Sequence, residues 1–156
     1  MNKNPANFVP LTPISFLHRT ADIYGQRQAV VYENRSYTWY ESRDRCVRMA
    51  SSLSNMGVQK GDTVAVFAFN TPEMFESHFS VPMSGAILNT INVRLDANTV
   101  AYILDDGNAK ALIVDRELFD IASKALSVSS SQPTVILIDD EFADTKPEVN
   151  IDVINY

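Results

Sequence analysis

Two hydrophobic periods trade places along this chain, one suited to helices and one to strands. After a polar, proline-marked arm over residues 1–12, Pro13 stands at a helix entrance, where its missing N–H costs nothing. Ile14, Leu17, Ala21 and Tyr24 follow at helical spacing, and Gly25 ends the run. Ala29 to Tyr32, a turn at Asn34, and Ser36 to Tyr37 read as a short hairpin. Thr38 to Asn55 is the plainest helix. Thr38 and Glu41 have the spacing of a capping box, Cys46, Met49, Ala50, Leu53 and Met56 fall on one face, and Gly57 supplies the stop. On the polar side, Glu41 with Arg45 and Asp44 with Arg48 have the spacing of ion pairs.

From Val58 onward the pattern becomes strand, helix, strand. A turn at Lys60 to Asp62 leads into a near-continuous apolar strand, Thr63 to Phe69, of the kind that both faces of a sheet bury. Thr71 and Pro72 open a helix that runs to about Ser84, and GAILNTIN reads as the next strand. A short connection of this kind implies a parallel crossover. Asp96 caps a helix that turns Val100, Ile103 and Leu104 inward and closes at Gly107; AKALIVD from Ala109 is a strand. Glu117 to Leu126 reads as a helix, SVSSSQP as a flexible linker, and TVILID from Thr134 as a last buried strand with an open edge. The expected organisation is therefore an arm (1–12), an incomplete α/β domain (13–138) and an acidic, poorly structured tail (139–156).

Charge and composition narrow the function. Thirteen Lys and Arg against nineteen Asp and Glu give a net charge of −6, which disfavours nucleic acid and anionic membrane surfaces. The single cysteine, Cys46, has no internal disulfide partner and reads as a buried thiol in a reducing compartment. No apolar run approaches the roughly 18 residues of a membrane span. The front end lacks a signal or transit pattern, so a cytoplasmic location is expected.

Candidate chemistry is sparse. Five glycines form neither GxGxxG nor a Walker pattern, so no self-contained phosphate cradle is expected. His18 and His78 lie too far apart, and too far from Cys46, for metal-ligand spacing. A Ser, His, Asp triad can be written from Ser77, His78 and any of many aspartates, but no nucleophile elbow frames a serine. His78, among Met74, Phe75, Phe79 and Met83, reads first as a packed core histidine and second as the lining of an acyl or pantetheine passage. Open α/β sheets bind ligands at the carboxyl ends of their strands, where this chain offers Asn70, Asn92 and Asp115. Asn89 and Asn92 are amides in what reads as a buried strand, satisfied either by backbone or by a ligand.

HFSVPMSGAILNTINVRLDANTVAYILDDGNAKALIVD closely resembles a stretch of the AMP-forming acyl-CoA synthetase superfamily, and nearest to it the plant-type acyl-activating enzymes for short-chain, medium-chain or aromatic acids. The YTW start to the second long helix and the GD-x-V-A turn and strand extend the resemblance from Pro10 to about Leu126. It implies part of the large N-terminal domain, with alternating helices and largely parallel strands. In such enzymes a carboxylate attacks the α-phosphorus of ATP, giving an acyl-adenylate and pyrophosphate, and the CoA thiol then displaces AMP; Mg²⁺ and cationic groups offset the charge. The family's phosphate loop, its T-x-x-E motif, its ribose-binding aspartate and its catalytic lysine have no counterpart here. The resemblance thus implies ATP, Mg²⁺, CoA and a carboxylic acid for a parent enzyme, but no cofactor bound by this chain alone and no catalytic residue within it. It places Asn89, Asn92 and Arg94 near a CoA pantetheine or acyl channel, and Asp115 and Arg116 near the CoA nucleotide. A peroxisomal parent is the alternative location. A rival reading is a non-catalytic module that associates with a full-length ligase, or with itself, through an unfinished sheet edge.

Overall fold

Residues 2–4 and 8–156 are described by a computed structural model, so the arm lies partly outside the described residues. Helix α1 (Pro13–Tyr24) opens on a reciprocal cap, Thr12 with Ser15, and buries Leu17 and Ala21. Gly25 follows it in right-handed conformation. Its role is close approach, because a Cβ there would stand 2.3 Å from the Tyr40 ring. Strands β1 (Gln28–Tyr32) and β2 (Arg35–Thr38) form the expected antiparallel hairpin. Helix α2 (Trp39–Asn55) starts on the Thr38–Glu41 capping box. It stops where Gly57 takes φ +90° and Val58 N–H donates to the Leu53 carbonyl.

The core is a five-stranded parallel sheet in the order β4-β3-β5-β6-β7. Its members are β3 (Thr63–Phe67), β4 (Ile87–Thr90), β5 (Ala109–Asp115), β6 (Thr134–Ile138) and β7 (Ile154–Asn155). Alternation along the strands sorts residues between two helical layers. Val64, Val66, Ala111, Ile113 and Ile136 pack with α2 and with α3 (Pro72–Met83). Ala65, Phe67, Leu112 and Val114 pack with α4 (Ala97–Asp106) and α5 (Phe119–Val128). The parallel crossovers and α/β class read from the sequence are present.

Several local expectations change. Neither i,i+4 ion pair expected on α2 is among the ion pairs of the described residues: Glu41 is held by its cap, Asp44 accepts from Arg43, and Arg45 turns inward to Glu76 and Glu73. Gly107 closes α4 as expected, and the left-handed residue is the next one, Asn108 (φ +45°). A single 3-10 turn, Arg116–Leu118, precedes α5. The serine segment expected to be flexible is tied to Asp105, whose carboxylate accepts from Ser129 Oγ and from the N–H groups of Ser130 and Ser131. β4 is an outer strand, half-exposed, rather than a buried one. β6 is not the last strand, since β7 pairs Ile154 with Ile136 and covers part of its edge.

Candidate functional site

The helix following β3 lies on one face of the sheet and the helix following β5 on the other. Since β3 and β5 are neighbours, their carboxyl ends diverge and leave a crevice, the position where doubly wound sheets bind ligands. Asp115 stands in it at the end of β5, 2% exposed. Its carboxylate accepts from the N–H groups of Phe69, after β3, and Glu117, so it stitches the two strand ends together. Burial raises its pKa, and the nearby Asp140 adds to the rise.

This crevice is already furnished by the chain itself. A hollow of about 220 Å³ remains, lined by Tyr32, Phe69, Asp115, Glu117, Asp140 and Phe142 with neighbouring Ala143 and Asp144. Asp140, buried, accepts from the Tyr32 hydroxyl at 2.5 Å and from Arg35 at 3.4 Å. The Phe142 ring meets Tyr32 edge-on, and Asp144 N–H donates to Glu117. Arg116 is engaged within the chain: its Nη1 donates to both oxygens of Asp139 at 3.1 Å, and its Nε to the Pro147 carbonyl. That pairing holds Asp139 below the usual carboxylate range. Four carboxylates and no cation line the hollow, so it does not fit a polyphosphate.

The other candidates lie one strand away, beyond β3. Asn89, on β4, is half-buried and sits beside Gly107 at the end of α4. Asn92 is exposed and accepts from Arg94 N–H at 3.0 Å, which shapes the turn after β4 and leaves Arg94 exposed as well. Asn92 and Arg94 are therefore brought together, while Asp115 and Arg116 form a separate group. His78 is exposed, not a core histidine: its Nδ1–H donates to the Met74 carbonyl, and an open groove of about 430 Å³ borders it with Asn70, Thr71, Phe75 and Phe79.

A buried polar cluster escaped the sequence reading. Glu73 and Glu76, on the inner face of α3, meet Arg35 and Arg45; Glu76 also accepts from the Tyr156 hydroxyl at 3.0 Å. Burial raises the Glu76 pKa against the opposing pull of Arg45. The i,i+3 spacing of Glu73 and Glu76, which puts both on one face of the same helix, was the available signal.

Comparison with known proteins agrees with this geometry. The fold aligns with a solved benzoate CoA ligase from Burkholderia xenovorans LB400 at a TM-score of 0.76 and 21% identity, over 83% of this chain and 26% of that one. It is the fold of adenylate-forming ligases. Residues 17–154 match the AMP-binding enzyme family, and the chain belongs to that family. It is 44% identical over 154 residues to a peroxisomal trans-cinnamate:CoA ligase of Petunia hybrida, covering 90% of this chain and 27% of the relative. An acetate–CoA ligase of Humulus lupulus is 41% identical over 151 residues, with 92% and 27% covered. The chain thus spans about a quarter of the length of the curated relatives it matches.

Proposed function

We propose that this chain is the N-terminal portion of an acyl-CoA ligase that activates a carboxylic acid with ATP to an acyl-adenylate and passes the acyl group to CoA, and that the portion alone is inactive. The observation that carries the reading is the coverage: the family match takes in nearly all of this chain and only about a quarter of each relative. The acidic crevice supports it, because a sheet whose own ligand position repels phosphate needs further protein to build an ATP site. In this reading ATP, Mg²⁺ and CoA belong to the whole enzyme. Asn89, Asn92 and Arg94 border its pantetheine or acyl channel, and Asp115 and Arg116 lie near the CoA nucleotide. The acid is a short-chain, medium-chain or aromatic carboxylate, in line with the acetate and trans-cinnamate named for the relatives. The chain works in the cytoplasm; a peroxisomal parent is the alternative, since the Petunia relative is a peroxisomal ligase. Among the described residues no helix is long and apolar enough to cross a membrane.

Pyrophosphate release tests the proposal. The isolated chain, incubated with ATP, Mg²⁺, CoA and a panel of carboxylates, releases none; a graft of the chain onto the remaining three-quarters of the Petunia ligase does. Turnover by homogeneous isolated chain overturns the reading. A second reading, a non-catalytic module pairing through a sheet edge, is favoured by the outer position of β4, where Ile87 is exposed and no proline or lysine guards the strand. It predicts a dimer at micromolar concentration.

A further inference from the structure

Helix α2 lays a graded stripe along one side. Arg45, Arg48, Met49, Ser52 and Met56 follow at helical spacing, so they share a face, with both cations toward its amino end and Met56 at the far end. Opposite stands β7, an outer strand of 2 residues paired with β6 alone. Between them lies a trough of about 270 Å³, walled on its apolar side by Ile136 and Ile154. It shares no residue with the crevice at the strand ends or with the groove beside His78.

The charges around the trough differ in what holds them. Glu76 is bonded through both carboxylate oxygens, by Arg45 and by the Tyr156 hydroxyl, contacts that lock α3 against α2 and β7. Arg45 is spent on Glu76, Glu73 and the Tyr37 ring. Arg48 is different. The Asp44 carboxylate four residues before it accepts from Arg43 instead, and the Arg48 guanidinium, exposed at the mouth, has no ion pair or hydrogen bond among the described residues. The trough therefore offers one uncommitted charge, a cation, beside the apolar surface of Met49, Met56, Ile136 and Ile154.

We propose that this trough binds a small amphiphilic monocarboxylate, with its head on Arg48 and its apolar tail between α2 and β7. The size follows from the space: a water-sized group takes about 30 Å³, so the trough holds about nine of them, the bulk of an acyl chain of about eight carbons. From Arg48 to Met56 the helix rises about 12 Å, so a tail of that length reaches the far methionine. Methionine suits such a tail, because its flexible thioether adapts to an apolar body of variable shape. A guanidinium and a carboxylate make a charge-assisted hydrogen bond, stronger than the bond to an alcohol. One free cation beside the committed Glu76 matches one negative charge and disfavours a polyphosphate. The site is additional to the acid and CoA of the ligase reading and needs nothing from it.

Methyl-labelled methionine in the isolated chain places probes both in the trough and away from it. Titration with octanoate shifts the Met49 and Met56 methyl resonances saturably, while Met74 and Met83, on α3, stay in place. Acetate, which lacks the tail, octanol, which lacks the charge, and octylammonium, whose charge is reversed, each bind about tenfold more weakly or worse. Arg48→Gln weakens octanoate by about tenfold or more and leaves the melting temperature unchanged, because the side chain is exposed and has no partner to lose. Lys124→Gln, the same change of charge on the outward side of α5, alters neither. Ser52→Phe fills the trough and abolishes the shifts; where its melt shows that it does not fold, the Arg48→Gln comparison decides. Shifts confined to Met74 or Met83, shifts that never saturate, octanol bound as tightly as octanoate, or an affinity untouched by Arg48→Gln would each overturn the site.

Discussion

Replacing Arg45 by Met isolates the role of the buried charges under α3. The substitution keeps an apolar stem against the Tyr37 ring, over which the guanidinium now lies at 4.6 Å, but removes the cation from Glu76 and Glu73. Glu76 is 1% exposed and keeps the Tyr156 hydroxyl as its side-chain partner. Stranding a buried carboxylate in this way costs about 3 kcal/mol when it is ionised. Protonation relieves the penalty and leaves a lost hydrogen bond of about 1 kcal/mol. The sign of the pH dependence follows. The folded-state pKa of Glu76 is already raised by burial, so its contribution to stability is present below the unfolded-state value and is lost as pH rises through the folded-state value. Without Arg45, which pulls that pKa down, the folded-state value climbs further. The deficit of the variant relative to wild type, measured by urea unfolding, should therefore be smaller at low pH, about 1 kcal/mol with Glu76 protonated, than at high pH, about 3 kcal/mol with Glu76 ionised, and the gap between the two is the signal. Adding Glu76→Gln to the variant should abolish the gap. Equal deficits at both pH values would show that Arg45 acts through packing alone and would refute the account of α3 as a helix locked by buried charge.

Three further outcomes follow from single contacts. Gly25→Ala should destabilise the chain by about 1–3 kcal/mol through overpacking, and Tyr40→Ala in the same chain should recover most of it, because the Tyr40 ring is what the new methyl meets; thermal melts of the single and double variants check this. Tyr32→Phe removes a hydrogen bond to the buried Asp140 carboxylate and should cost about 1.5–3 kcal/mol; amide exchange should quicken over residues 139–147, and unchanged protection there would count against Tyr32 as their anchor. Burial pushes the Cys46 thiol up to about 12, so native protein at pH 8 should resist a thiol reagent that labels it fully in denaturant; rapid native labelling would contradict the buried position.

The fold was legible where one element's own residues decide it. Capping at Thr38 and Thr71, the stop at Gly57 and the apolar runs of β3 and β5 are local signals, and each stands where the pattern put it. What could not be read was partnership between distant segments. Arg45 has Glu41 four residues before it, an obvious pair by spacing, yet Glu41 is claimed by its cap and Arg45 by Glu76, thirty-one residues on. Asp115 looked like a ligand group at a strand end because nothing local showed that Phe69 and Glu117 would take its oxygens. Asp140 and Tyr32 are 108 positions apart, and no period connects them. His78 was misjudged for a related reason: apolar neighbours in sequence suggested a core position, when Phe75 and Phe79 share its outward side.

The same distinction separates what this chain inherits from its family and what it does not. Membership rests on strands and helices that pack against one another within the chain, and those are present. Catalysis needs groups converging on a phosphate, and the one crevice that sheet topology offers is filled by residues 139–144 and lined with carboxylates. An acidic crevice that repels phosphate belongs to a scaffold, and under the ligase reading the ATP site needs further protein to build it.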